Sequence, residues 1–170
     1  DQLAREVVAP GTEGLAEVVA AFGRGVLAAD GSLDRKRLAE VAFSDPAERR
    51  RLNGILHPRI ARLTADRAAE LAARGEPAAC YEAALLVENG VADAFRPLVV
   101  VAVPEAVQVA RAMARDGSSE AEARVRIAAQ LPLADKVKLA DFVIDNAGTV
   151  EETRRRTDEV LERILAPASS

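Results

Sequence analysis

Leu98-Val99-Val100-Val101-Ala102-Val103 is an unbroken apolar run that hands directly to a helix-spaced pattern of charged residues. A run apolar on both faces predicts a buried parallel strand. A parallel strand that feeds a helix from its C-terminal end forms the edge where open α/β sheets take ligands. The segment beyond that edge is rich in guanidinium groups. Gln108-x-x-Arg111-x-x-x-Arg115-Asp116-Gly117 leads to Glu120–Gln130 with Arg124 and Arg126, then to Lys136, and closes on Ala140-Asp141-Phe142-Val143-Ile144-Asp145-Asn146. Arginines three to four residues apart occupy neighbouring helical turns, the spacing at which planar forks grip phosphate oxygens. The stretch reads as a phosphate-handling lid beside a nucleotide loop. No G-x-x-x-x-G-K-[ST] loop occurs anywhere in the sequence.

At 170 residues the chain is long enough for one domain with its own core. Aromatic residues make up only 3%, so the core must be aliphatic, and a base-stacking nucleic-acid binder is disfavoured. The net charge of -4 points the same way, although Arg outnumbers Lys 20 to 3. That bias has two readings, a GC-rich genome or phosphate binding. Cys80 is the sole cysteine, so no intrachain disulfide can form, and a reducing, cytoplasmic setting is expected. No apolar stretch approaches the ~18 residues of a membrane span, and no secretory signal is visible. The chain opens in mid-pattern at Asp1-Gln2-Leu3-Ala4-Arg5 without a Met, and the expectation is that an upstream segment is missing.

The first half reads as helical. Leu3, Val7 and Val8 share a face, Pro10-Gly11-Thr12 breaks it, and Thr12 is placed to cap the next helix. Leu15, Val18, Val19 and Phe22 form that helix's stripe, and Gly23-x-Gly25 ends it. After an Asp30-Gly31 turn, Ser32 is a plausible cap for Leu33–Phe43. Asp45-Pro46 opens a helix to about Leu56, and Pro58 starts a separate long one to about Ala73, stopped at Gly75-Glu76-Pro77. From there the apolar Ala79–Val87 reads as a first strand, ending in Glu88-Asn89-Gly90. The Leu98–Val103 strand, an arginine helix from Glu105, helices over 119–130 and 133–140, a short strand Phe142-Val143-Ile144 and a terminal helix Val150–Leu165 complete the series, with Ala166–Ser170 expected to fray. Strands alternating with helices predict a parallel α/β sheet, and three strands are few for a doubly wound one.

In this order and at these spacings the residues resemble dephospho-coenzyme A kinase over nearly the whole chain. The resemblance rests on Asp1-x-x-Ala4-Arg5 with Pro10-Gly11, Phe22-Gly23, Asp30-Gly31-x-Leu33-x-Arg35-x-x-Leu38, Phe43, Leu56-His57-Pro58, Leu85-Leu86-x-Glu88, Gln108-x-x-Arg111, Arg115-Asp116, Gln130, Lys136 and Ala140-Asp141-x-x-Ile144-Asp145-Asn146. It implies a three-layer P-loop kinase-like parallel sheet, here without its N-terminal P-loop strand and helix, with a helical substrate-binding region and a helical lid. Residues 2–75 would be the CoA-binding region, 78–110 and 140–166 the nucleotide-binding core, and 111–137 the lid, within one incomplete kinase domain.

The implied reaction is ATP-dependent phosphorylation of the 3′-hydroxyl of dephospho-CoA, with Mg²⁺ accompanying ATP, and the chain by itself is expected to be inactive. Asp1 would orient the attacking hydroxyl, or be merely a terminal residue favoured by a helix dipole. Arg111 would stabilise the transferring phosphoryl group. Arg115, Arg124, Arg126 and Lys136 would assist it, or be a solvated charged face. Arg5, Arg35 and His57 would bind the acceptor, although His57 could equally be a helix-entry residue before Pro58 and the two arginines could simply hold the helical region together. Glu88, at an expected strand end, would orient Mg²⁺ or cap a turn. Asn146 and Gly148 would border the adenine, or form an ordinary turn. ATP and dephospho-CoA are the implied partners, with no nucleic acid or membrane. Another small-molecule kinase of the same fold, and a non-catalytic remnant that binds CoA-like ligands or a protein, stand as rivals.

Overall fold

The computed structural model describes residues 2–166 apart from the Phe43 side chain. Asp1 lies outside the described residues, as do residues 167–170, on which most of the expected frayed tail falls. The chain forms two compact units, Asp1–Ala79 and Cys80–Ser170.

The first unit is helical. After α1 (Gln2–Glu6), the Thr12 side chain starts α2 (Glu13–Phe22): its Oγ1 accepts the Leu15 N–H at 3.2 Å and donates to Ala9 O at 2.8 Å. One hydroxyl thus satisfies an orphan donor of α2 and ties it to the turn that leaves α1. Gly14 is forced by the same corner, because a Cβ there would stand 2.0 Å from the Val7 carbonyl oxygen. A 3-10 turn over Arg24–Val26 and a single antiparallel bridge between Leu27 and Leu33 lead into α3 (Arg35–Ser44) and α4 (Pro46–Ala73). Val8, Leu15, Val18, Val26, Leu38, Ala42, Leu52 and Ile55 form the buried core, with the expected α2 stripe at its centre. Burying each large aliphatic side chain there contributes about 1.5–3 kcal/mol.

Two local expectations for this unit are corrected. Ser32 does not cap α3; Asp34 does, its Oδ1 accepting from Arg37 N at 3.1 Å. Ser32 instead donates its hydroxyl to Asp30 Oδ1 at 2.6 Å and its N–H to the same oxygen at 2.9 Å. Ser32 is thus bound into the turn with Asp30, two residues ahead of the cap position that Asp34 fills. Nor does Pro58 begin a new helix. Asp45 and Pro46 open α4 as expected, with Asp45 Oδ1 accepting from Ala47 N at 2.8 Å, and the helix then runs straight through Pro58 to Ala73. A proline within a helix loses one backbone hydrogen bond and crowds the carbonyl four residues back, which here belongs to Gly54. The neighbouring Ile55 carbonyl accepts from Arg59 Nη1 at 2.8 Å. Packing of α4 against α1, α2 and α3 outweighs the local penalty.

The second unit is built on two strands, β1 (Val99–Ala102) and β2 (Phe142–Asp145), paired in parallel with Val99 opposite Phe142 and Ala102 opposite Asp145. Between them come α5 (Glu105–Asp116), α6 (Glu120–Ala128) and α7 (Leu133–Leu139), and α8 (Val150–Leu165) follows β2. The α/β class with a parallel sheet is borne out. The first expected strand is not. Ala79–Val87 pairs with no strand among the described residues, and residues 84–90 close a turn in which Asn89 N donates to Leu85 O and Gly90 N to Val87 O, each at 3.0 Å. Glu82 interrupts the apolar run without setting up a strict alternation, and three alanines weaken its strand preference. With no ladder partner, the backbone satisfies itself locally.

Candidate functional site

The parallel register carries the ends of β1 and β2 to one edge of the second unit, and two loops leave from it. After β1, Val103 and Pro104 turn into α5, where Gln108 Nε2 donates back to Val103 O at 3.0 Å. After β2, Asn146 N donates across to Ala102 O at 2.9 Å, and its side-chain Oδ1 accepts from Thr153 Oγ1 at 2.9 Å. Thr149 then caps α8 in a capping box with Glu152, and Gly148 leaves room for it, since a Cβ there would lie 2.0 Å from Glu152 Oε2. Asn146 and Gly148 are thus embedded in a tightly bonded turn at the sheet's carboxyl edge.

Arg111 sits about one turn beyond Gln108 on α5 and is exposed. Among the described residues it has no carboxylate partner and no side-chain hydrogen bond. The other expected lid cations are all engaged. Arg115 Nε donates to Asp116 Oδ1 at 2.8 Å and Nη2 to Oδ2 at 3.0 Å, while Arg126 Nη1 reaches the same carboxylate at 2.9 Å. The Arg115 fork, then Arg126, holds the Asp116 carboxyl below its ordinary value. Arg124 bridges Glu105 at 2.8 Å and Glu120. These bonds lash α6 to α5, around the buried Val109 and Ala123.

Lys136 and Glu88 form an enclosed pair, with side-chain exposures of 14% and 17%. Lys136 Nζ also donates to Gln130 Oε1 at 3.1 Å, and Glu88 Oε1 accepts the Leu131 N–H at 3.2 Å. The other carboxylate oxygen, Oε2, is buried with no hydrogen-bond partner among the described residues. Burial by itself would raise the Glu88 pKa, but the Lys136 hydrogen bond and the backbone donors reverse this and leave it below the ordinary value. The structure thus joins three positions that the sequence pattern had only strung in order: Glu88, Gln130 and Lys136.

Arg5, Arg35 and His57 belong to the first unit, on α1, α3 and α4, and all three are exposed. None makes an ion pair or side-chain hydrogen bond among the described residues. The depression of about 360 Å³ between α1 and α4 is lined by Glu6, Val7, Arg59, Arg62, Leu63 and Asp66, and none of the three borders it. Sequence reasoning missed Arg96. It bonds Asp141 at 2.8 Å and the Leu139 carbonyl at 2.9 Å, and no local motif marks a contact so distant along the chain.

The chain is similar to known proteins along most of its length. The sequence model of the family described as dephospho-CoA kinase matches residues 1–152. A dephospho-CoA kinase of Geobacter sulfurreducens is 49% identical over 160 residues, 94% of this chain and 81% of that protein. One of Anaeromyxobacter dehalogenans is 47% identical over 161 residues, 95% of this chain and 76% of that protein. The solved structure of the dephospho-CoA kinase from Campylobacter jejuni superposes with a TM-score of 0.70 at 25% identity, covering 96% of this chain and 82% of that one.

Proposed function

The chain belongs to the dephospho-CoA kinase family, and from that premise we propose that it transfers the γ-phosphoryl group of ATP to the 3′-hydroxyl of dephospho-CoA. The ribose oxygen forms a bond to the γ-phosphorus, the bridging bond to the β-phosphate breaks, and ADP leaves. The hydroxyl proton passes to a carboxylate, a role the family resemblance gives to Asp1. The reading is supported by Arg111, which is exposed on the helix that leaves the carboxyl edge of a parallel sheet and has no ion-pair or side-chain hydrogen-bond partner among the described residues. A guanidinium that no described carboxylate holds can answer the charge that spreads over the transferring phosphoryl oxygens without first breaking such a pair.

The remaining roles follow from chemistry. Arg115 would add a second positive charge once Asp116 yields it, and Lys136 would do so only by leaving Glu88. Asn146 and Gly148 would border the adenine, while Arg5, Arg35 and His57 would hold the acceptor. No cluster of three or more acidic, histidine or cysteine side chains suited to a metal occurs among the described residues. Magnesium would enter with ATP, carried by its phosphates. Among the described residues no helix is long and apolar enough to cross a membrane. We place the reaction in the cytoplasm, where the exposed Cys80 thiol stays reduced.

The test uses the protein as its gene encodes it, incubated with MgATP and dephospho-CoA. ADP should appear only when dephospho-CoA is present, and the product should carry a new 3′-phosphomonoester by mass and phosphorus NMR. Ligand binding without phosphoryl transfer would mark a non-catalytic binder, and transfer to a different acceptor would mark another kinase. Either result would end this assignment.

A further inference from the structure

We propose that Glu88 and Lys136 are positioning residues that clasp the return of the lid to the sheet, rather than ligands of either substrate. The inference rests on the kinase reading above. It starts from the path of the chain. α7 ends at Leu139, separated from β2 by Ala140 and Asp141, and packs on β1, which implies that it runs back along the strands with its N-terminus toward their carboxyl edge. A seven-residue helix rises about 10 Å and a four-residue strand spans about 13 Å, so Gln130 and Leu131 return to the level of that edge. α7 packs on β1 and belongs to the sheet platform, whereas α6 packs on α5. The arginine-bearing hairpin leaves the platform through Val103 and Pro104, and the three residues Gln130-Leu131-Pro132 are the joint by which it returns.

Every polar contact of the pair converges on that joint or on the turn holding Glu88. Glu88 Oε1 meets Lys136 Nζ and the Leu131 N–H, and Lys136 Nζ meets Gln130 Oε1 and, at 3.4 Å, the Ala84 carbonyl. A lysine that serves phosphate stands open to it. This one is enclosed, and its partner's second oxygen is buried as well. Turning either side chain toward a ligand would leave the other enclosed charge uncompensated, which opposes the motion. The cations split accordingly: Arg111, Arg115, Arg124 and Arg126 ride on the hairpin, and Lys136 stays with the platform as the fixed end of the hinge.

Amide exchange resolved by NMR reads the clasp directly, with Leu131 as reporter and Asn146, bonded to Ala102 across the sheet, as internal reference. Lys136→Met should speed Leu131 exchange by about tenfold or more, as expected when a charge-assisted acceptor lets go. Asn146 should keep its rate, and Lys136→Arg should restore Leu131. In turnover, Lys136→Met should lower kcat by about 10²-fold, the cost of a misplaced lid. KM for dephospho-CoA should stay unchanged, with recovery in Lys136→Arg. Unchanged Leu131 exchange in Lys136→Met would overturn the clasp, above all if MgATP binding vanished at the same time. So would loss of Asn146 protection in both variants, which would make the pair only a part of the core. Exchange needs no substrate, so a failure to phosphorylate dephospho-CoA would defeat the proposed function and leave this result standing.

Discussion

Arg96 and Asp141 are joined by a 2.8 Å hydrogen bond from Nη1 to Oδ2, and that same oxygen accepts the Leu98 N–H at 2.6 Å. One carboxylate thus gathers the chain just ahead of both strands, at the end of the sheet opposite its carboxyl edge. The Arg96 bond first, then the Leu98 N–H, holds the Asp141 carboxyl below its ordinary value.

Because the folded value is depressed, the charged carboxylate stabilises the fold above the unfolded pKa of about 4, and that share is lost as pH falls through the lower folded value. Asp141→Asn, which keeps the shape and an acceptor, should have a lower urea midpoint than the parent at pH 7. The gap should be constant from pH 5 upward and shrink below about pH 4. A gap independent of pH down to acid unfolding would show that the charge contributes nothing.

Gly14 and Gly54 should respond to alanine with opposite signs. At Gly14 the new Cβ would stand 2.0 Å from the Val7 oxygen, so α2 must move off the end of α1, at a cost of about 1–3 kcal/mol. Gly54 lies within α4 with nothing within 4 Å of the added Cβ, and alanine there should stabilise by about 0.5–1 kcal/mol through helix propensity. Denaturant midpoints for the two variants decide it.

Arg111→Ala should lower turnover by about 10³-fold or more. Stability should change by less than about 0.5 kcal/mol, as for an exposed side chain with no partner among the described residues. Steady-state kinetics beside a thermal melt would separate the two. A variant with parental turnover would remove Arg111 from the mechanism.

Much of the helical boundary chemistry could be read from residue order, because it is settled within a turn of the chain. Thr12 and Asp45 cap as their side chains suggest, Gly23 ends α2 at a φ of +81°, and the valine-rich run becomes β1. Ser32 went astray because two residues within a short stretch had side chains able to cap, and the cap falls two residues later, at Asp34, while Ser32 bonds Asp30. The spacing singled out Arg111, but that it alone among the five expected lid cations has no partner among the described residues depends on where Asp116, Glu105 and Glu88 come to rest.

Residue order alone established the helical first half, the β1–α5 transition and the arginine rhythm, since each depends on neighbours a few positions apart and on the preferences of single side chains. Three-dimensional packing settled the rest. It let α4 continue through Pro58, denied Ala79–Val87 a ladder to join, and brought Glu88 against Lys136 and Leu131. Burial and backbone pairing act between segments far apart along the chain, so their outcome is written in no single stretch of it.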